Sequence, residues 1–254
     1  MLIGNAALVA GGGRGIGRAT AIELARRGAD VAFLYRSDAT AAEETASAIR
    51  ETGGRAFPIQ CDVADAGQVS DAFATAFSEL PGINMVVNSA GTAAPTRLVN
   101  DLSPEVWAQC IAVDLNGAYN VIHNAVRRLR KVETGGAIIA MSSIASQMVP
   151  PRNSCGAAAK AGVEALIRVT AREEARHNIR ANVVSVGITD TDIIRPIFEK
   201  WGPETTAKVL REIPLGRIGQ PKEVANMIAF LLSEDAVYVT GKVMQIDGGQ
   251  FIGG

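Results

Sequence analysis

Short apolar runs and longer amphipathic stretches alternate along the chain from one end to the other. Runs of Val, Ile, Ala and Leu without polar alternation suit strands covered by helices on both faces. They predict strands at Ala6–Ala10, Val31–Tyr35, Ala56–Gln60, Met85–Asn88, Ala137–Met141, Ala181–Val186 and Val243–Asp247. The stretches between them predict helices at Ile16–Arg27, Thr40–Glu51, Gln68–Leu80, Pro104–Val113, Gly117–Lys131, Ala157–His177 and Lys222–Leu232. This alternation is the pattern of βαβ units. The expected fold class is therefore α/β, a doubly wound parallel sheet of seven strands with helices on both faces, in a single domain over residues 1–254.

Some boundaries carry their own chemistry. Ser103 before Pro104 reads as an N-cap followed by proline at the first helical position, and Pro221 precedes its helix in the same way. The least regular stretch, Gly187 to Pro214, holds Pro196, Gly202 and Pro203 around the weakly amphipathic Ile193–Trp201. Residues 188–214 are expected to form a lid over a site.

Charge narrows the function classes. With 25 Lys+Arg against 26 Asp+Glu the net charge is −1, which gives no footprint for nucleic acid or an anionic membrane. No basic leader precedes the first apolar segment and no eighteen apolar residues run uninterrupted, so a soluble cytoplasmic protein is expected. Three cysteines, Cys61, Cys110 and Cys155, are too scattered for a disulfide framework or a zinc site. Glycine takes 26 positions while aromatics make up 5%, a balance that favours tight turns and close backbone packing.

The first such turn, Ala10 to Gly17 (A-G-G-G-R-G-I-G), follows a predicted strand and opens a predicted helix. Gly11, Gly13 and Gly17, with Ile16 among them, are placed to bring exposed N–H groups and a helix N-terminus to a pyrophosphate. At the end of the second strand a carboxylate would receive the ribose hydroxyls of NAD and repel a 2′-phosphate. The chain instead has Arg36 and Ser37, with Arg14 in the glycine turn. Two guanidinium groups and a hydroxyl favour NADP(H).

Taken together, these motifs resemble the short-chain dehydrogenase/reductase family over essentially the whole chain. The marks are Gly11–Gly17, Cys61-Asp62-Val63, Asn88-Ser89-Ala90-Gly91, Asn116, Ser142-Ser143, Lys160-Ala161-Gly162 and the closing Gly241–Gly249. Ile213–Gly219 is similar to the 3-oxoacyl-[acyl-carrier-protein] reductase branch. The resemblance implies a Rossmann-type fold, an acyl-thioester or other small ketone as substrate, and a homotetramer. It also implies that Asp62 and Val63 meet the adenine, that Asn88, Ala90 and Gly91 lie along the cofactor, and that Thr189 and Thr191 hold the nicotinamide carboxamide and diphosphate. Ser143 would steady the substrate carbonyl, Lys160 bind the nicotinamide ribose, and Asn116 hold a water in a proton relay.

One position breaks the pattern. The family's catalytic tyrosine belongs four residues before the lysine, and Gly156 stands there; Tyr35, Tyr119 and Tyr238 are all out of register. Ala10 and Val186 also depart from the usual threonine and proline. Loss of a positioned general acid lowers rates by about 10² to 10⁴, so impaired or rewired carbonyl reduction is expected. Several replacements for the phenol stay open: a water or substrate group in the space left by Gly156, relayed through Ser143 and Lys160; the Cys155 thiol; reduction of a conjugated alkene instead; or a glycine introduced on purpose. A catalytically silent NADP(H)-binding subunit is the alternative from another class. The basic run Arg127, Arg128, Arg130 and Lys131 reads either as a meeting point for an acidic carrier or CoA phosphate, or as a solvated helix end.

Overall fold

The computed structural model describes residues 1–2, 4–192 and 194–252. Seven strands form one all-parallel sheet: β1 (Ala6–Ala10), β2 (Asp30–Tyr35), β3 (Ala56–Gln60), β4 (Ile83–Asn88), β5 (Gly136–Ser143), β6 (Ile179–Val186) and β7 (Val243–Ile246). Their order is β3-β2-β1-β4-β5-β6-β7, and every adjacent pair is parallel. The helices are α1 (Gly15–Arg26), α2 (Ala39–Glu51), α3 (Ala66–Glu79), α4 (Pro104–Ile111), α5 (Gly117–Leu129), α6 (Ala145–Met148), α7 (Ser154–Glu174), α8 (Arg195–Arg211) and α9 (Pro221–Leu232).

Strand residues point alternately to the two faces, and so the core is divided in two. Leu8, Leu34, Val86 and Ile138 pack under α3, α5 and α7. Val9, Phe33, Val87 and Ile139 pack under α1, α2 and α9. The strand order reverses between β1 and β4, and the chain leaves their C-terminal ends in opposite directions. A crevice opens there, the place where sheets of this topology take ligands.

The predicted strands and helices are all present, and Ser103 caps α4 by accepting the Val106 N–H at 3.4 Å. Three features were not foreseen. The helices expected at Pro104–Val113 and Gly117–Lys131 are continuous, joined by a π turn at Ala112–Asn116. A short α6 follows β5, and α7 starts at Ser154, three residues before the expected Ala157. In the region expected as a lid, α8 is broken at Gly202 (φ 73°), just before Pro203; Ile193 lies outside the described residues. No described helix is long and apolar enough to cross a membrane.

Candidate active site and cofactor crevice

The glycine turn is folded against its neighbours so closely that side chains are excluded at Gly11, Gly12 and Gly17. The Gly11 and Gly12 N–H groups donate to the Leu34 carbonyl at 3.0 Å each. Gly11 has a φ of 77°, and a Cβ on it would meet the Ala90 backbone at 2.8 Å; one on Gly17 would run into the Gly11 carbonyl oxygen. Gly13 is tied to α2 through its carbonyl, which accepts Thr45 Oγ1 at 3.2 Å. Ile16 packs partly buried against the α1 side of the core. Arg14 occupies the N-cap of α1 with extended backbone and no side-chain capping bond. The first N–H groups of α1 are thus without a side-chain acceptor, as an anion site requires.

Arg36 and Ser37 are exposed at the end of β2. Among the described residues neither Arg14 nor Arg36 forms an ion pair. The nearby Asp38 carboxylate is committed to capping α2, accepting the Ala41 N–H at 3.0 Å. On the next strand end, Asp62 Oδ1 accepts the Ala64 N–H at 2.9 Å and shapes the turn that carries Val63. Val63 is buried against Gly117, where a Cβ would come within 2.7 Å of its Cγ2.

Asn88 ends β4 almost fully buried, and its Oδ1 has no hydrogen-bond partner. A buried orphan acceptor beside the crevice matches the need for a ligand donor. Thr191 reaches the glycine turn, its Cγ2 3.5 Å from where a Cβ on Gly15 would sit. Thr189 is buried, donating to the Gly187 carbonyl at 3.3 Å. The glycine turn, the uncapped α1, the free arginines and the Asn88 orphan together fit a nicotinamide dinucleotide.

Deeper in the crevice, Lys160 Nζ lies 2.9 Å from Asp114 Oδ1. Asp114 is 3% exposed and also accepts Thr92 Oγ1 at 2.6 Å and the Thr92 N–H at 3.2 Å. Gly91 leaves room for this cluster: a Cβ there would be 3.0 Å from Asp114 Oδ1 and 3.3 Å from Lys160 Nζ. Asn116 is not brought to the lysine. It is exposed at the end of the π turn, because residues two apart point to opposite sides of a helix. Asp114 carried a signal: with Cys110, Ala118 and Ile122 it lies on a buried stripe at four-residue spacing, where a carboxylate is out of place without a partner.

Ser143 ends β5 half-buried, its Oγ accepting the Ala145 N–H at 3.2 Å. Gly156 is in the first turn of α7, buried. The space beside it is occupied: a Cβ would meet the Asn153 Oδ1 and, at 2.8 Å, the Ala94 Cβ. The turn carrying Asn153 holds two non-glycine residues in left-handed backbone, Val149 (φ 42°) and Arg152 (φ 67°). For β-branched Val149 this is a strained conformation. The Arg97 N–H donates to the Arg152 carbonyl at 2.9 Å and pins the turn to the loop after β4.

A family model described as enoyl-(acyl carrier protein) reductase matches residues 10–250. A 3-oxoacyl-[acyl-carrier-protein] reductase from Staphylococcus aureus is 33% identical over 252 residues, covering 99% of this chain and 100% of its own. The solved structure of a short-chain dehydrogenase/reductase from Serratia marcescens superposes with a TM-score of 0.90 at 31% identity, covering 98% of both chains. The chain belongs to the short-chain dehydrogenase/reductase family. Within it, an L-rhamnose 1-dehydrogenase (NAD(P)(+)) from a Sphingomonas species is 34% identical over 252 residues, covering 99% of this chain and 98% of its own. Relatives with thioester and sugar substrates thus lie at the same distance, and overall identity does not choose between them.

The cysteines near the site are buried. Cys155 and Cys110 are both buried, and burial followed by the hydrogen bond to Cys155 pushes the Cys110 thiol up to about 12. Cys61 is likewise pushed up to about 11, by burial and then by Asp62 and Asp65. Thiolate character is suppressed at both positions. The basic run at the end of α5 is also broken up: Arg130 forms two hydrogen bonds to Glu174, at 2.7 and 2.6 Å, and Arg128 lies over the Phe77 ring at 5.6 Å.

Proposed function

We propose that this chain is an NADP(H)-dependent oxidoreductase acting on a carbonyl/alcohol pair, slowed by the absence of the phenol at position 156. The observation that carries the reading is the pairing of an intact dinucleotide cradle and Lys160 with a glycine at the acid position. When bound, the nicotinamide supplies or takes the hydride. The α1 N-terminus and the glycine turn would hold the pyrophosphate, and Arg36, Ser37 and Arg14 the 2′-phosphate. Asp62 and Val63 would flank the adenine; Asn88, Ala90, Gly91 and Lys160 would meet the nicotinamide ribose, and Thr189 and Thr191 the carboxamide and diphosphate. Ser143 would orient the substrate oxygen.

The name of the Staphylococcus relative supports a 3-oxoacyl thioester as the first substrate to test. A lid at 188–214, a homotetramer and a cytoplasmic setting belong to the same proposal. A silent NADP(H)-binding subunit is the second reading, favoured by the Asn153 carboxamide filling the space beside Gly156.

The test is titration with NADPH and NADH followed by turnover of ketones, 3-oxoacyl thioesters and dienoyl thioesters. The expected result is preferential NADPH binding with slow but measurable reduction, enhanced when a tyrosine is accommodated at position 156. Equal or tighter NADH binding removes the cofactor assignment. Tight NADPH binding with no consumption across the panel removes the oxidoreductase and leaves the silent subunit.

A further inference from the structure

The site retains a hydride acceptor's surroundings but has lost its phenol, and the remaining proton donors are few. Asp114 acts only as an acceptor, from Lys160 Nζ at 2.9 Å, Thr92 Oγ1 at 2.6 Å and the Thr92 N–H at 3.2 Å. Glu164, one turn beyond Lys160, is also an acceptor, from Ser142 Oγ at 2.8 Å and Ser146 Oγ at 2.6 Å. Cys110 and Cys155 are buried, the former with its thiol pushed up to about 12. His123 stacks on the exposed Tyr119 on α5, and His177 pairs with Arg176 beyond the end of α7. None of these offers a proton to the crevice.

Lys160 does. Its side chain is 17% exposed, and its Nζ is 3.3 Å from where a Cβ on Gly91, just after β4, would lie. An ammonium carries three N–H donors. Asp114 takes one of them, leaving two for a ribose hydroxyl and a substrate oxygen.

We propose that Lys160 is the proton donor in this chain, giving its proton directly to the substrate oxygen, with Asp114 as the positioning residue that holds the ammonium there. The inference rests on the reading of the chain as a carbonyl reductase with NADPH as reductant. As the carbonyl carbon takes the hydride, one Nζ–H bond breaks and an O–H bond forms on the carbonyl oxygen. The alcohol leaves, and the neutral amine, still hydrogen-bonded to Asp114, is recharged by a proton from water.

The experiment compares the full-length protein with Lys160→Arg, Lys160→Ala and Asp114→Asn, checking fold by circular dichroism and NADPH binding by nucleotide fluorescence. Arginine keeps the charge and the N–H donors but does not release its proton. Lys160→Arg is expected to bind NADPH within about threefold of the original protein while its turnover of a 3-oxoacyl thioester falls by about 10² or more. Lys160→Ala should regain turnover saturably when methylamine is added. Asp114→Asn should lower kcat while leaving KM for NADPH unchanged.

Turnover retained by Lys160→Arg, loss of NADPH binding in step with its turnover, or failure of the amine to rescue Lys160→Ala would each overturn the proposal and leave the reductase reading standing. A rise in KM for NADPH with kcat intact in Asp114→Asn would remove Asp114 as the positioning residue. An original protein that binds NADPH and consumes none would overturn both the inference and the reductase reading.

Discussion

The carboxamide of Asn153 occupies the place where a side chain on Gly156 would begin. A side chain at position 156, where the proposed function misses a phenol, would therefore meet a neighbouring side chain carried by a strained turn. Asn153 Oδ1 is the end of a side chain that can rotate away, whereas the Ala94 Cβ, 2.8 Å from the same point, moves only with its backbone. Gly156→Tyr alone should lower stability by about 1–3 kcal/mol through overpacking and raise ketone reduction only modestly. Paired with Ala94→Gly, it should regain the stability and increase kcat by about 10² to 10⁴. Thermal melts and steady-state NADPH oxidation on both variants check this, and a double variant no faster than the original protein would show that the pocket has been rebuilt for other chemistry.

Arg36 governs the second prediction. Its guanidinium is exposed and without an ion-pair partner among the described residues, so it is free for a 2′-phosphate. Hydrogen bonds to charged groups contribute about 1.5–3 kcal/mol. Arg36→Ala should therefore weaken NADPH binding about 10- to 100-fold and leave NADH binding unchanged, and the difference should shrink as salt is raised. Fluorescence titrations at two ionic strengths decide it. Equal losses for the two nucleotides would place Arg36 outside the phosphate site.

The glycines of the first turn separate into those that need to be glycine and those that do not. A Cβ on Gly17 meets a backbone carbonyl oxygen, which has nowhere to go, while one on Gly13 is 3.3 Å from the Tyr35 Cβ. Gly17→Ala should abolish NADPH binding and lower the melting temperature by an amount corresponding to a few kcal/mol. Gly13→Ala should melt close to the original protein. Calorimetry of the pair tests the packing argument independently of catalysis.

The sheet was legible because its buried strands are continuous apolar runs, and the glycine turn because its neighbours define it. The π turn was not, since the sequence around Ala112–Asn116 reads as two helices ending at Val113 and starting at Gly117 and carries no sign of an extra residue per turn. That turn decides which side chain meets Lys160, and it selects Asp114 while Asn116 faces solvent. Asn153 was equally hidden. Its position depends on left-handed backbone at Val149 and Arg152, residue types that give no local sign of it. Gly156 could be located by counting, but what fills the space beside it could not.

The last prediction concerns the tie between α5 and α7. Arg130 donates to both carboxylate oxygens of Glu174, at 2.7 and 2.6 Å, and the Glu174 side chain is only 2% exposed while the arginine side chain is 43% exposed. The arginine hydrogen bonds hold the Glu174 carboxyl below the usual carboxylate range, against the opposing effect of its burial. A carboxyl lowered on folding contributes stability above its unfolded value, about 4.3 for glutamate, and loses that contribution as pH falls through the folded value. Arg130→Met leaves the carboxylate buried without its partner and should lower the melting temperature at pH 7. As pH falls below the ordinary glutamate value, about 4.3, the deficit should shrink, and it should close only as Glu174 of the original protein is itself protonated at its lowered value. Adding Glu174→Leu should recover most of the loss at pH 7, since an apolar pair of similar volume avoids the uncompensated charge. A deficit in Arg130→Met that is independent of pH would mean that the arginine acts through packing alone.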